Sequence, residues 1–277
     1  MADPGTHAHE AERWRVKPGS RVKLADLKTN SRKGAPGDKA ETLVAVEGLI
    51  VELAGWQDRL WAEHERALLM VLQAMDAGGK DGTIRKVLTG INPQGVRVAS
   101  FKEPTPIERE HDFLWRIHQQ APSHGEVGVF NRSHYEDVLI VRVNKLAPKP
   151  IWRARYDHIR HFEANLVAGE TAIVKFFLHI SKEEQAARLQ ARLDDPTKRW
   201  KFASADLDVR EHWDEYQAAY EDAISETSTK DAPWYVIPAD RKWYRDWAVL
   251  QVLLAAMERL DPTYPPEEPG VEGLLIT

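Results

Sequence analysis

The chemistry of this chain is concentrated where an apolar run meets a glycine-rich, acidic turn. Leu68–Leu72 leads into Asp76, Gly78, Gly79, Lys80, Asp81, Gly82 and Thr83. Short continuous apolar runs mark strands buried on both faces. A glycine loop after such a strand presents backbone amides that can cradle phosphate, and Lys80 adds a point charge for a phosphate oxygen. The loop departs twice from the pattern G-x-x-x-x-G-K-[ST]: Ala74 stands where the first glycine belongs, and Asp81 where Ser or Thr belongs. Asp76 would repel phosphate unless a cation stood between them. Its uses are therefore a magnesium ligand, direct or through water, an orienter of the attacking oxygen, or simply a turn former. The plain alternative for the whole loop is a strand-to-helix turn with a solvated lysine.

A second group follows another apolar run, Val127–Phe130: Asn131, Arg132, Ser133, His134, Tyr135, Glu136 and Asp137. Arg132 has the planar fork to clamp a transferring phosphate. Glu136 and Asp137 are candidate partners for a nucleotide or a metal, although acids at a helix start are common for dipole reasons alone. His134 reads as structural. A third group is cationic: Arg188, Arg192, Lys198, Arg199, Lys201 and Arg210, with Trp200 among them. On solvated helices such charges usually mean little. Here the intervening DDPTKRWKF is poor helix material and reads as a flap. Three close cations on a flap suit a lid that closes over phosphates and excludes water.

The elements that must position these groups alternate. Leu43, Val46, Ile50, Leu53 and Leu60 predict a long amphipathic helix over Glu41–His64. Strands are predicted at Leu68–Ala74, Val96–Phe101, Val127–Phe130, Ala172–Ile180 and Pro233–Pro238. Helices are predicted at Gly82–Thr89, Thr105–Gln120, Trp152–Val167 and Lys242–Leu260, with two charged helices within 182–229. Short apolar strands between helices imply an α/β fold with a parallel sheet covered on both faces. Ligands in such sheets bind at the carboxyl ends of the strands, which puts Asp76–Gly82 and Asn131–Asp137 on one rim. Residues 1–39 are expected to form an arm, 40–260 the domain with its lid at about 188–212, and 261–277 a proline-rich tail.

Composition narrows the function classes. In 277 residues, 29% are charged and 43% hydrophobic, enough for a full core, and the net charge is −5. That balance argues against a dedicated nucleic-acid binder but leaves room for a local basic channel. The absence of cysteine excludes disulfides and thiol catalysis. No apolar stretch approaches a membrane span and the N-terminus lacks a secretory apolar core, so no membrane partner and a cytoplasmic location are expected. The long helix suggests a homo-oligomer, although an apolar helical face is more often core.

With these groups in place, the chain resembles the polyphosphate kinase 2 family of phosphate-loop kinases over about Lys23–Trp247. The matching segments are MDAGGKDGTIRKV, KEPTPIEREHDFLWRIH, FNRSHYEDVLIVRV, DPTKRWKF, REHWDEYQAAYEDAI and APWYVIPADRKWYR. That family's loop is a degenerate Walker A with aspartate at the place of Asp76, so the departures noted above become expected features. The resemblance implies a three-layer α/β/α, thymidylate-kinase-like P-loop fold with a helical lid. It also implies phosphoryl transfer between inorganic polyphosphate and a nucleotide, with Mg²⁺, or Mn²⁺ in its place. By the match, Asp76, Lys80 and Arg132 would be catalytic. Gly78, Gly79, Lys80, Asp81, Gly82, Thr83, Arg85, Lys86, Lys102 and Arg132 would contact phosphate, joined by Lys198, Arg199 and Lys201 from the lid. Asn131, Glu136, Asp137 and Arg192 would face the nucleotide, and Asp76 and Asp137 the metal.

Asn131 stands where many members carry aspartate, and Glu136-Asp137 where many carry Asn-Arg. Both features resemble the class III group, which phosphorylates nucleoside monophosphates as well as diphosphates. With Asn131 uncharged, Asp76 or Asp137 would carry more of any metal binding. The rival readings are an ATP-dependent nucleoside monophosphate kinase and a non-catalytic anion- or RNA-binding protein, against which the acidic balance counts.

Overall fold

Asp38 starts the first long helix by accepting hydrogen bonds from the Ala40 and Glu41 amides at 2.7 and 3.0 Å, while Glu41 accepts from the Asp38 amide at 2.8 Å. This reciprocal cap satisfies amides that a helix start leaves open. The computed structural model describes residues 6–276. A short helix α1 (Thr6–Ala11) precedes α2 (Lys39–Glu63). Strand β1 (Ala67–Ala74) then feeds α3 (Lys80–Val87), β2 (Val96–Ser100), the short α4 (Pro106–Arg109) and α5 (Trp115–His118), and β3 (Val127–Asn131). Beyond β3 come α6 (Ile140–Val143), α7 (Lys149–Ala168), β4 (Thr171–His179), α8 (Lys182–Asp194), α9 (Ala205–Glu211), α10 (Trp213–Thr227), β5 (Trp234–Pro238) and α11 (Lys242–Leu260).

All five strands pair in parallel in the order β2-β3-β1-β4-β5. Every residue of β1 is buried, as an apolar run in a central parallel strand requires. Helix α11 packs on β4 and β5 and against α1, α2 and α3, while α7 packs on β4 and against α10. The result is the expected three-layer α/β/α arrangement. β1 lies between β3 and β4, so connections leave it in both directions and open a crevice at its carboxyl end. The loop carrying Asp76 and Lys80 begins there.

One region differs from the sequence reading, and a second, the N-terminal arm, takes a definite course. The helix predicted over Thr105–Gln120 is broken into α4 and α5. Asp112 supplies the reason: its side chain accepts from the Leu114 amide at 2.9 Å, a local turn that competes with continued helix. The arm within residues 1–39 also lies against the domain. The Val16 amide donates to Trp234 O at 2.8 Å and the Val236 amide to Trp14 O at 2.9 Å, an antiparallel bridge along β5, the outer strand of the sheet. Trp14 meets Tyr244 and Trp247 edge-on, and His179 Nε2 donates to the carbonyls of Leu24 and Leu27. The arm thus covers a sheet edge that would otherwise invite pairing with another chain. Among the described residues, no helix is long and apolar enough to cross a membrane.

Candidate active site

The loop after β1 is built by its own short bonds. The Gly78 amide donates to Met75 O at 2.9 Å and Tyr220 donates to Ala74 O at 3.0 Å. Ala77 takes a φ of +60° in the left-handed region, which costs about 1–2 kcal/mol outside glycine. Gly79, at φ +103°, needs its missing side chain for a second reason: a Cβ there would overlap the Arg245 guanidinium. Arg188 straps the loop in place. Its Nη1 donates to the carbonyls of Ala77 and Gly78 at 3.1 and 3.0 Å, its Nη2 to Ala239 and Asp240, and its Nε to Glu184. Every direction of that guanidinium is spent on position.

Lys80 opens α3 and stands half-buried, with Nζ 3.3 Å from Ala74 O. Burial pushes its ammonium below the ordinary lysine value, and Arg132 adds to that, while Asp76, Glu136 and Asp81 pull it back up. Asp76 pairs with Arg132 at 3.0 Å, and Gln185 holds the Asp76 carbonyl at 3.0 Å. Arg132 sits one residue beyond β3 at φ +61°, so a second non-glycine residue at this rim is held in the left-handed region. Such strain persists where surrounding structure fixes it, and clusters at working sites. Asn131, at the last position of β3, donates to Asp81 at 2.7 Å. Glu136 is pushed up by burial, against the pull of Arg132 and Lys80.

These groups open on a cleft of about 1180 Å³. Its wall includes Asp76, Gly78, Gly79, Lys80, Asp81, Gly82, Arg85, Lys86, Lys102, Asn131, Arg132, Arg192, Lys198 and Lys201 from the sequence-derived set. Four predicted residues lie elsewhere. Thr83 is buried with its hydroxyl donating to Gly79 O, and Arg199 Nε donates to Leu193 O. Glu136 is behind the wall but within electrostatic reach of Lys80 and Arg132. Asp137 is turned away: Arg155 donates to its carboxylate at 3.1 Å and to its carbonyl at 2.9 Å. The lid segment bends back on itself, with Lys198 on Asp195 at 2.6 Å and Trp200 Nε1 on Thr197 O, leaving the Trp200 ring 77% exposed at the cleft. Arg210 is tied to the Lys182 carbonyl and Gln185 rather than to the cleft.

Sequence reasoning missed Lys242, Arg245 and Asp246, which also line the cleft from the start of α11. Arg245 is 2% exposed and held by Asp246 at 2.6 Å. The available signal was the charged start of an otherwise apolar helix. Tyr216 and Tyr220 were missed as well. Burial lifts both phenols, with Glu136 and Asp76 adding to it, and Tyr220 holds the loop through Ala74 O rather than lining the cleft. For a divalent cation, the cleft offers Asp76 on the loop and Asp81 in the first turn of α3, with Asp246 already paired to Arg245, and no imidazole among its lining residues. An all-oxygen set with few carboxylates fits a hard ion such as Mg²⁺, which keeps water and substrate phosphate as its other ligands.

A parallel sheet of this order, a glycine-lysine loop at the end of its central strand and a cationic flap across the crevice define a P-loop kinase. The family model for polyphosphate kinase 2 matches residues 37–265. An AMP/ADP-polyphosphate phosphotransferase from Meiothermus ruber is 53% identical over 96% of this chain and 99% of its own length. An ADP-polyphosphate phosphotransferase from Rhodopseudomonas palustris is 50% identical over 80% of this chain and 81% of its own. The crystal structure of polyphosphate kinase 2 from Arthrobacter aurescens TC1 superposes with a TM-score of 0.90 at 45% identity, covering 94% of this chain and 92% of that one. The chain belongs to the polyphosphate kinase 2 family.

Proposed function

We propose that this chain transfers a phosphoryl group from inorganic polyphosphate to nucleoside mono- and diphosphates, taking AMP to ADP and ADP to ATP, reversibly. One observation carries the reading. A chain of net charge −5 gathers eleven lysines and arginines around one cleft, against three aspartates, among the described residues. The cleft also exceeds the roughly 300–1,000 Å³ typical of a single small ligand, which leaves space for a donor and an acceptor together.

In the reaction, an oxygen of the acceptor's terminal phosphate attacks the terminal phosphorus of the polyphosphate. The bridging oxygen leaves with its electron pair on the shortened chain. Phosphoryl transfer asks little covalent chemistry of a protein, so positioning and charge neutralisation dominate. Lys80 and Arg132 take charge from the transferring group. The loop and helix-start amides from Gly79 to Gly82 hold the phosphates, and Arg85, Lys86 and Lys102 extend the basic path along which polyphosphate lies. Segment 195–204 closes as a lid, bringing Lys198, Lys201 and Trp200 over the site. A bound Mg²⁺, with Mn²⁺ as alternative, would supply further neutralisation, held by Asp76 with Asp81 nearby. We read the exposed Val44 and Val51 of α2, beside open Gly48 and Gly55, as the face of a homo-oligomer, which light scattering would measure. The deciding test of function supplies AMP and polyphosphate without ATP and follows ADP and ATP. Nucleotide formation only when ATP is the donor would replace this reading with a nucleoside monophosphate kinase.

A further inference from the structure

Away from the cleft, three elements converge on one imidazole. His7 of α1 directs Nε2 toward Glu52 Oε1 of α2 at 3.2 Å and Glu258 Oε1 of α11 at 3.8 Å. Its other ring nitrogen, Nδ1, lies 2.6 Å from Gln251 Oε1 and donates to it. With Nδ1–H on Gln251, Nε2 is the nitrogen that meets the two carboxylate oxygens, and the contact is favourable only with a positive centre between them, a metal ion or a ring proton. Glu258 Oε2 is buried with no hydrogen-bond partner.

We propose that His7, Glu52 and Glu258 form a binding site for a zinc-class divalent cation, separate from the phosphoryl-transfer site. The three ligand atoms all lie within 4.8 Å of one another, and no other described His, Asp or Glu group brings three so close. Tetrahedral zinc with bonds of about 2.0–2.2 Å needs ligand atoms about 3.4 Å apart, so a small side-chain adjustment closes the shell, with water as a fourth ligand. The imidazole excludes a preference for Mg²⁺, which suits oxygen donors, and favours Zn²⁺. The Gln251 carbonyl on Nδ1 is the outer partner that ligating histidines generally have, fixing tautomer and ring direction. None of the four residues lines the cleft. Glu258 lies twelve residues beyond Asp246 on α11, about 18 Å along the helix, so the ion pins α1 onto α2 and α11 at the end remote from catalysis.

The test is titration of ZnCl₂, with MgCl₂ as control, into the full chain freed of metal by chelator, read by calorimetry and by thermal melting. One zinc per chain with a raised Tm is expected, and excess MgCl₂, which the cleft carboxylates can take up, should not displace it. Glu52→Gln and Glu258→Gln should each weaken zinc at least tenfold, while circular dichroism and the metal-free Tm show the chain still folded. Gln251→Leu should weaken it by about 10–100-fold, the usual effect of losing an outer partner. These three substitutions keep the reading testable if His7→Gln undocks α1. No saturable zinc site, or binding unchanged in all the variants, would overturn the assignment. So would a Tm that follows pH but not zinc, which would show the ring held as an imidazolium.

Discussion

Lys80 and Lys175 face the same physical problem and resolve it in opposite ways. Loss of water pushes both ammonium groups below the ordinary lysine value. Lys175, at the middle of β4, is wholly buried and donates to Glu163 Oε2 at 2.6 Å, Thr227 O at 2.8 Å and the Tyr135 hydroxyl at 3.0 Å. Three acceptors meet its three donors, and Trp234 completes the network through Thr227 Oγ1 at 2.9 Å. Burial pushes the Glu163 carboxyl up, but Lys175 and His134 outweigh it and hold the group ionised below its usual value. Lys80 has one distant carbonyl and a set of charges it does not bond. The first lysine is closed and serves the fold. The second is open, and its unmet donors are the ones a phosphate can use.

The largest way to break this comparison is to delete each ammonium. Lys80→Ala should abolish polyphosphate-dependent ADP formation while the urea midpoint stays near that of the parent chain. Lys175→Ala should do the reverse, because it strands Glu163 as a buried, unpaired charge, at a cost of about 3–5 kcal/mol. Near-normal turnover in the first variant, or parental stability in the second, would end the distinction. The double change Lys175→Met with Glu163→Leu, which removes both charges, should recover most of the lost stability.

The next effect concerns the carboxylate beside the open lysine. Asp76→Asn should lower kcat by at least about 10²-fold, the scale of one electrostatic contributor in a water-poor site. The fold should survive, since the pair with Arg132 lies at the cleft wall and water can replace it. Steady-state kinetics with AMP and polyphosphate reads the outcome. Full rate in this variant would remove Asp76 from the chemistry and leave Lys80 and Arg132 to act alone.

Much of the open region was legible because it is local. The strand, the glycines and Lys80 follow one another in the chain, and Arg132 follows the next buried strand, so topology alone places both at one rim. The closed region was harder to read for the opposite reason. Lys175 interrupts the apolar run AIVKFFLHI, a visible anomaly, but its acceptors come from residues 12, 40 and 52 positions away. Arg245 escaped notice because a cation at a helix start looks solvated until Gly79 is found against it. Asp137 was read as facing a ligand because its neighbours do. Only the fold reveals Arg155, eighteen residues on, taking its carboxylate.

Asp137 therefore marks the boundary between the two regions, and pH sharpens it. Burial pushes its carboxyl from 3.8 up to about 6, against the pull of Arg155 and Arg116. Between those values the folded chain holds a proton that the unfolded chain has released. The stabilisation linked to that proton is therefore full below about pH 4 and is lost as pH rises through 6. Its size is on the order of 1–3 kcal/mol, and Asp137→Asn should flatten the slope of stability against pH across that window. The same variant should cost far less in turnover than Asp76→Asn, because Asp137 sits with the closed pairs behind the wall. Denaturation at pH 4, 5, 6 and 7, paired with kinetics at pH 7, separates the cases. An unchanged slope with turnover as poor as in Asp76→Asn would return Asp137 to the ligand side of the cleft.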